Sequence, residues 1–484
     1  MLGVFGVYVK RELLLYFRVQ TMSIHKASEQ LGTEGIGSLL RRFALPAMGG
    51  MIVGALYHAV GRAYLSRVAD TDALGGMTLA FPVFGVIMAF GMLVGIGTGA
   101  FISISLGKGR RDDAEKCLGQ AVALFFAMYA ILTPLALVFL DKILLALGAT
   151  PEMLPHGRQY LQIILAGNLF MHLSFGLNAA IRAEGFPGRA LATQVIGAVI
   201  NIVIDPFLIW PEFLGWGVRG AAAGAVISQA VSAAWVLAHF MSPRSACRLR
   251  LRNIRIHATL ALKMAGIGLA PFCTQFVASI IGVVFNWSFN HYAPGNSGLY
   301  IAAMGTIQAI TMLFFMPVFG LTHGLQPIVG YNYGAKNYAR VREAYFLTLK
   351  VALALGVCGA LFCWLGAPLL ATLYAPSEIL TELKEILPRY LRVMTLVFPV
   401  VGFSITTSQY FMSIGKTAIA LTQTLLRQVI ILLPALVILP RFFGIEGIWY
   451  ATPVSDFGSF CVAFIFFMRE RKHLRGLLEV PNAV

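Results

Sequence analysis

Residues 105–116 read SLGKGRRDDAEK, and residues 332–343 read NYGAKNYARVRE. Each stretch is short and charged, and a long apolar run lies on both sides of it. Gly107 and Gly334 occupy the same place, third from the start, in the two stretches. A charged loop between two apolar runs is typical of a chain that crosses a membrane repeatedly, and its recurrence in the second half predicts a duplicated fold.

Apolar runs of this kind follow one another along almost the whole chain. A bilayer-spanning helix needs about 20 mostly apolar residues. Twelve stretches meet this requirement and are numbered as spans in chain order: 39–63, 77–106, 117–140, 158–180, 190–210, 217–241, 260–289, 299–330, 342–366, 387–411, 418–440 and 445–468. The strict apolar–polar alternation of a transmembrane β-barrel is missing from the sequence. The predicted fold is therefore an all-α polytopic membrane protein with twelve transmembrane helices.

The composition and the placement of charge agree with this class. Hydrophobic residues make up 58% of the 484 residues and charged residues 12%, roughly half the charged fraction of a soluble protein. The net charge is +16, but 26 of the 37 basic residues fall on the side of the membrane that holds both termini. This bias follows the positive-inside rule and predicts that both termini are cytoplasmic. It accounts for the basic charge without a nucleic-acid partner.

Cysteine and acidic residues give no sign of a cofactor or an active site. The six cysteines form no CxxC pair and no metal-ligand spacing, so we expect them to be reduced. The cluster of histidine and acidic residues that a membrane enzyme needs is not visible in the sequence. We therefore expect a protein that is not an enzyme, with no metal and no cofactor beyond a coupling ion.

Two more pairs of glycines repeat the separation between Gly107 and Gly334, which we call the repeat offset. Gly188 in FPGRALATQ matches Gly415 in SIGKTAIALTQ, and Gly217 matches Gly444. A shared offset at three loops predicts two pseudo-symmetric six-helix lobes, and because six is even the repeats are parallel. Such lobes leave a cleft that rocking can open to either side of the membrane, which favours a transporter over a channel.

A basic loop near the middle of the chain divides the two lobes. The predicted organisation is an N-terminal cytoplasmic segment 1–37, an N-lobe 38–241 with spans 1–6, a basic cytoplasmic linker 242–258, a C-lobe 259–469 with spans 7–12, and a cytoplasmic tail 470–484. We expect small-molecule substrates, a lipid bilayer as the surroundings, and a monomer.

Residues 201–210, NIVIDPFLIW, hold a carboxylate inside the fifth span. A charged aspartate at the bilayer centre costs at least about 2.5–3.5 kcal/mol, so Asp205 is expected to face protein or a watery cavity. Asn201 lies one turn earlier on the same helix face. Asn178 in the fourth span, together with Ser228 and Gln229 in the sixth, is predicted to complete a polar pocket that binds H⁺ or Na⁺. The alternative is a structural hydrogen-bond network that locks the bundle.

The second half offers candidates for a substrate cavity. Gln275 in the seventh span, Asn286 in the same span and Gln308 in the eighth are polar residues inside apolar runs. Asp456 in the twelfth span is a second intramembrane carboxylate, and Met304 belongs to a set of methionines that can form an adaptable apolar wall. For Gln275, Asn286 and Gln308, each taken alone, hydrogen bonding between helices is the favoured interpretation, and for Met304 it is packing. For Asp456, a hydrogen bond to a neighbouring helix is the alternative.

Specific strings resemble the multidrug and toxic compound extrusion (MATE) family, most of all its bacterial multidrug efflux branch. They are LRRFALPAMGGMIVGALYHAVGR (40–62), LNAAIRAEGFPGRA (177–190), NIVIDPFLI (201–209) and GLQPIVGYNYGAKNYARVREA (324–344). The resemblance covers about residues 36–470. It implies twelve helices in two lobes and secondary-active efflux of amphipathic, often cationic compounds, coupled to H⁺ or Na⁺ entry. In the family, an aspartate before a proline and an asparagine one turn earlier form part of the N-lobe cation site, and these positions match Asp205 and Asn201.

The sequence departs from the family pattern in the first span. Many relatives carry an aspartate near the position of Gly61 and an asparagine where this chain has His58. Coupling would then rest on Asp205 alone, or partly on His58, since an imidazole with its ordinary pKa near 6.5 suits proton exchange. The other interpretation of His58 is a helix-end residue at the membrane interface. The coupling ion therefore stays open between H⁺ and Na⁺.

A flippase for a lipid-linked oligosaccharide or another lipid-like substrate is the alternative function. Proteins of that kind share the two-lobe architecture by family resemblance. They usually place basic residues in the central cavity to hold pyrophosphate. Lys350 in the ninth span and Arg427 in the eleventh are the cationic residues well inside the predicted spans. Two are few for that task.

Overall fold

The computed structural model describes residues 24–65, 71–243, 245–374 and 381–479. Within these ranges the regular secondary structure is helical, and no strand occurs. Eleven helices are long and apolar enough to cross a membrane, and one helix pair bent by 45° makes a twelfth. Each predicted span coincides with one of them, so the all-α polytopic class is confirmed.

The observed helices extend beyond the predicted spans at most ends. In chain order the spans are Ile36–Leu65, Thr71–Gly107, Arg111–Val138, Met153–Ala183, Pro187–Ile209, Val218–Met241, Ala258–Tyr292, Ser297–Gly334, Tyr338–Tyr374, Thr381–Thr395 with Phe398–Ser413, Thr417–Phe443 and Ile445–Glu479. Short helices Ile24–Thr33 and Leu140–Ala146 flank the first and third spans. The fourth and eleventh spans contain π-helical segments, His172–Gly176 and Leu426–Leu432.

The predicted tail from residue 470 does not begin as a separate segment. The twelfth helix runs from Ile445 to Glu479, because Arg, Lys, Leu and Glu at its end are strong helix formers. Glu470 is buried, pairs with Lys416 Nζ at 2.6 Å and accepts a hydrogen bond from Tyr410 at 3.0 Å. The charged residues after position 468 mark where the twelfth span leaves the apolar layer, but the helix continues beyond them to Glu479.

The two halves share backbone details at equivalent positions. Gly217 precedes the sixth span with a φ of 52°, and Gly444 precedes the twelfth with a φ of 57°. Glycine adopts this left-handed conformation without the strain that a Cβ atom would bring. The repeat offset found in the sequence therefore joins turns of the same shape.

The halves meet along the first and second spans on one side and the seventh and eighth on the other. Their close approaches lie toward the end of the molecule where the first span begins and the second span ends. There Gly268 packs against the backbone of Leu93, and Gly324 packs against that of Ala44. Gln326 Nε2 donates a hydrogen bond to the carbonyl oxygen of Ile96 at 3.2 Å. We call this the closed end of the molecule.

Hydrogen bonds tie the N-terminal helix to the closed end. Asn332 Nδ2 donates to the carbonyl oxygen of Leu31 at 2.8 Å, and Arg340 Nη2 donates to the same oxygen at 3.2 Å. Arg340 Nε donates to Asn332 Oδ1 at 3.1 Å. Asn332 and Arg340 belong to the string 324–344, so this string joins the second half to the segment that leads into the first span.

The predicted linker is fastened to the N-lobe by two buried carboxylates. Glu184 accepts hydrogen bonds from Ser245 Oγ at 2.8 Å and from the backbone N–H of Cys247 at 2.7 Å. Glu115 pairs with Arg250 at 2.9 Å. Glu184 is 0% exposed and Glu115 is 1% exposed. Buried carboxylates need such donors, so the stretch after Ser245 belongs structurally to the N-lobe.

Candidate functional site

A cavity of about 80 Å³ lies inside the N-lobe, among the first, second, fourth, fifth and sixth spans. This volume holds several water molecules or a partly hydrated small cation. Its polar lining comes from four spans and comprises Tyr57, Tyr160, Asn201, Asp205 and Gln229. We call it the N-lobe pocket.

The carboxylate of Asp205 is the charged group of the N-lobe pocket. Asp205 is 2% exposed and Asn201 is 4% exposed. Asn201 Nδ2 donates a hydrogen bond to Asp205 Oδ1 at 2.9 Å, as the spacing of four residues on one helix predicts. Among the described side chains, no cation pairs with Asp205. A buried carboxylate is stabilised by hydrogen-bond donors or by a nearby cation, and a proton or a metal ion in the pocket is one group that can supply the positive charge.

Glycines on two neighbouring helices border the carboxylate. A Cβ atom on Gly224 of the sixth span would overlap Asp205 Oδ1. A Cβ atom on Gly61 of the first span would lie 3.4 Å from Asp205 Oδ2 and 4.0 Å from Asn201 Oδ1. Two oxygen atoms therefore face the space in front of Gly61, and a cation seated there would find one carboxylate and one amide ligand.

The structure also shows where an acidic side chain at residue 61, the position at which the sequence departs from the family pattern, would lie. A side chain at residue 61 would enter the N-lobe pocket directly beside Asp205. The side chain of His58, the other group considered for proton exchange, lies outside the described part of the structure. Tyr57 lies four residues before Gly61 on the same helix face and also lines the pocket. This spacing from residue 61 could have predicted Tyr57 as a pocket residue from the sequence.

Two residues predicted for the N-lobe pocket lie elsewhere. Asn178 Nδ2 donates to the carbonyl oxygen of Ala190 at 2.8 Å, and Asn178 Oδ1 accepts a hydrogen bond from Arg182. Ser228 Oγ donates to the carbonyl oxygen of Ala225 at 2.8 Å. The other residue predicted in the sixth span, Gln229, does line the pocket. Neighbouring residues on a helix point about 100° apart, and the small residues of the sixth span do not reveal which face is buried.

Two predicted cavity residues lie on faces of the seventh and eighth spans that point toward the N-lobe. Asn286 lies about five helical turns beyond Gly268, which contacts Leu93. Gln308 likewise lies about five turns before Gln326, which bonds to the second span. Both side chains are exposed.

Gln275 lies nearer the closed end than Asn286. A Cβ atom on Gly85 of the second span would lie 3.5 Å from Gln275 Nε2. Gln275 is half-buried. Together with Asn286 and Gln308 it gives the second half a polar face above the closed end, which we call the C-lobe cleft face.

Met304 and Asp456 are placed differently from the prediction. Met304 is 5% exposed and packs in a hydrophobic core with Ile307 and Ile310, so it does not belong to the C-lobe cleft face. Asp456 is 5% exposed, and its Oδ1 accepts a hydrogen bond from Arg427 Nε at 2.6 Å. The partner of Asp456 could not be predicted from the sequence of the twelfth span, because Arg427 lies on the eleventh span and the pair depends on how the two helices pack.

A protein-family comparison matches this arrangement. The model described as MatE covers residues 46–207 and 262–437, which is more than half of the chain. The chain belongs to the MatE family. The two matched segments correspond to the two halves that the glycine pairs relate, and the first of them contains Asn201 and Asp205.

Relatives of this MatE protein match over nearly their whole length. The multidrug export protein MepA of Staphylococcus aureus (strain MRSA252) is 24% identical over 439 residues, which cover 89% of this chain and 94% of MepA. MepA of Staphylococcus haemolyticus (strain JCSC1435) is 25% identical over 480 residues, covering 98% and 99%. A solved structure of MATE in complex with MaL6 has a TM-score of 0.84 at 25% identity, covering 93% of this chain and 99% of that one.

The N-lobe pocket of this MatE protein has, in its described part, no conventional metal-binding cluster. Among the described residues, no group of three or more His, Cys, Asp and Glu side chains could hold a metal ion. What the pocket offers is one carboxylate, the amides of Asn201 and Gln229, and the hydroxyl groups of two tyrosines. These groups suit a single proton or a weakly held monovalent cation that enters and leaves, rather than a resident divalent metal.

Proposed function

We propose that this MatE protein exports amphipathic, often cationic compounds across the bacterial inner membrane, coupled to entry of H⁺ or Na⁺. Family membership and the two MepA relatives, which are multidrug export proteins, support the export of drugs. The observation that carries the coupling is the carboxylate of Asp205, which is buried in a cavity and has no cationic partner among the described side chains.

The proposed cycle alternates access to the cleft between the lobes. In the proposed topology, the positive-inside bias favours a cytoplasmic position for the closed end, and the present arrangement then corresponds to an outward-open state. Cation binding beside Asp205 drives the cycle only if its affinity differs between the outward-open and inward-open states. The substrate occupies the cleft, where Gln275, Asn286 and Gln308 supply hydrogen-bonding groups.

Uptake into inverted vesicles tests the proposal. A fluorescent cation is supplied outside, and a pH gradient and a Na⁺ gradient are imposed separately, which identifies the ion. Asp205→Asn is expected to reduce uptake to that of vesicles without the protein. Asp141→Asn is the control, because Asp141 is 46% exposed and pairs with Arg158 at 3.5 Å, away from the pocket. Undiminished uptake by Asp205→Asn would remove this carboxylate from the mechanism.

A flippase for a lipid-linked oligosaccharide is the less supported alternative. A pyrophosphate group needs several unpaired cations, whereas Arg427 is paired with Asp456. Lys350 is exposed on the ninth span. Movement of the fluorescent cation under neither gradient would favour the flippase over drug export.

A further inference from the structure

The linker between the two lobes presents arginines and apolar residues together on its exposed side. Residues 247–257 read CRLRLRNIRIH, with four arginines and no acidic residue. Leu251 is 86% exposed and Ile256 is 54% exposed. Arg252 and Arg255, their neighbours in the sequence, are exposed as well. We call these four side chains the linker surface.

Contacts with the N-lobe hold the backbone of the linker in place. The backbone N–H of Leu249 donates a hydrogen bond to the carbonyl oxygen of Phe240 at 3.0 Å, so the linker folds back along the end of the sixth span. A Cβ atom on Gly119 of the third span would overlap the carbonyl oxygen of Asn253. The linker surface is therefore the exposed side of a segment whose position is fixed.

The same contacts set the level of the linker relative to the membrane. In the third span the charged residues end at Lys116, and an apolar run follows. Gly119, which meets Asn253, lies in the first turn of that run. Met241 at the end of the sixth span and Leu262 near the start of the seventh are exposed apolar residues on either side of the linker in the sequence. This level is the boundary between the apolar layer and the lipid headgroups.

The arginines of the linker surface are free to bind a group from outside. Arg250 is neutralised by Glu115, whereas within the described part of the chain the side chains of Arg252 and Arg255 form no hydrogen bond or ion pair. At a membrane boundary an apolar side chain enters the acyl region, and a neighbouring guanidinium stays among the headgroups. A guanidinium also matches the geometry of phosphate oxygens. The linker surface therefore suits a phosphate that is attached to apolar chains.

We propose that the linker surface binds an anionic phospholipid of the adjacent leaflet. Its two arginines contact the lipid phosphate, and its two apolar side chains lie against the acyl chains. The stretch 247–257 keeps a positive net charge even after Arg250 is paired, and this charge attracts an anionic headgroup but gives little advantage to a zwitterionic one. The proposal concerns the bilayer around the protein and does not depend on drug export, so either proposal can fail without the other.

Quenching of a tryptophan by brominated lipids tests the proposal on the full-length protein in liposomes. Leu251→Trp places the reporter on the linker surface, and wild-type protein supplies the signal of the six native tryptophans for subtraction. The liposomes are mixtures of phosphatidylglycerol and phosphatidylcholine in which one of the two lipids carries bromine on its acyl chains. The ratio of the apparent affinities of the two lipids measures the preference for the anionic headgroup.

The reporter is expected to show at least about a fivefold preference for phosphatidylglycerol, the factor that one arginine near an anionic surface contributes. Adding Arg252→Gln and Arg255→Gln to the reporter should remove most of this preference. The matched control adds Arg469→Gln and Arg471→Gln, which removes two exposed charges from the end of the twelfth span and should leave the preference unchanged. Ile131→Trp, an exposed position farther along the third span, should be quenched equally by both lipids.

A reporter that neither lipid quenches would overturn the proposal, because the linker surface would then not reach the bilayer. Equal quenching by both lipids, or a preference that survives the loss of both linker arginines, would show that these arginines do not recognise the headgroup. A preference lost equally in the control pair would show a general effect of net charge. Loss of the preference in millimolar inorganic phosphate at constant ionic strength would assign the site to free phosphate instead of a lipid.

Discussion

Gly107 and Gly334 pack against each other's helices through reciprocal contacts. A Cβ atom on Gly107 would overlap the carbonyl oxygen of Tyr331, and a Cβ atom on Gly334 would overlap that of Ile104. Ile104 and Tyr331 are themselves separated by the repeat offset, since each lies three positions before its glycine. The contact therefore relates the two halves by a local two-fold axis, and the second and eighth spans cross there with backbone against backbone.

Replacing Gly334 by alanine is expected to force the second and eighth spans apart at the closed end. The overlapped oxygen belongs to the backbone and cannot turn aside, and overpacking of this kind costs about 1–3 kcal/mol. Export by vesicles with Gly334→Ala should fall. Gly298→Ala on the same helix is the control, because no atom lies within 4 Å of its Cβ position. Equal transport by both variants would contradict the close crossing.

Gly224→Ala is expected to disable cation coupling in a folded protein. Its Cβ atom would overlap Asp205 Oδ1, so the carboxylate must turn away from Asn201. Gly54→Ala in the first span is the control, because its Cβ would lie 3.8 Å from Gln194 Oε1, an ordinary van der Waals distance, and would not meet Asp205. Gradient-driven uptake and thermal unfolding are measured for both. Greater loss of uptake in Gly54→Ala would show that the described position of the carboxylate is wrong.

Gly61→Asp is expected to increase the number of cations moved per substrate. The new carboxylate would lie beside Asp205, and two like charges in a buried pocket do not both stay ionised without added cations. The check is the ratio of cation flux to substrate flux in vesicles. Gly61→Asn introduces the same shape without the charge, and it should keep the wild-type ratio. Identical ratios for the two variants would refute the expectation.

Arg340→Met is expected to lower the thermal unfolding midpoint of the purified protein. The change removes the hydrogen bonds from Arg340 to Leu31 and Asn332, and a hydrogen bond from a charged group contributes about 1.5–3 kcal/mol. Arg342→Met is the control, since Arg342 is exposed and lies 5.8 Å from the ring of Phe346. A midpoint lowered equally by both would mean that the N-terminal helix is not held through Arg340.

The number and order of the spans could be predicted from the sequence because apolar length is a local property. Asn201 and Asp205 could be paired for the same reason, since both lie on one helix with a spacing of four residues. The position of Gly61 beside Asp205 agrees with the family pattern, which places an acid there. These features depend on single helices or on a resemblance that spans the chain.

Contacts between helices were harder to predict. The sixth span is rich in alanine and glycine and has no single apolar stripe, so the choice between Ser228 and Gln229 depended on packing. The pair of Arg427 and Asp456 depended on the register of the eleventh span against the twelfth.

The attachment of the linker to the N-lobe has a mechanical consequence. Gln120 Nε2 donates a hydrogen bond to the carbonyl oxygen of His257 at 3.0 Å, and the seventh span begins at Ala258. The part of the linker that is not attached to the N-lobe is therefore only the peptide bond between His257 and Ala258, rather than the whole of residues 242–258. In the proposed alternating-access cycle, a connection that short would fix the pivot point and would limit the motion of one lobe against the other to a bend at the start of the seventh helix.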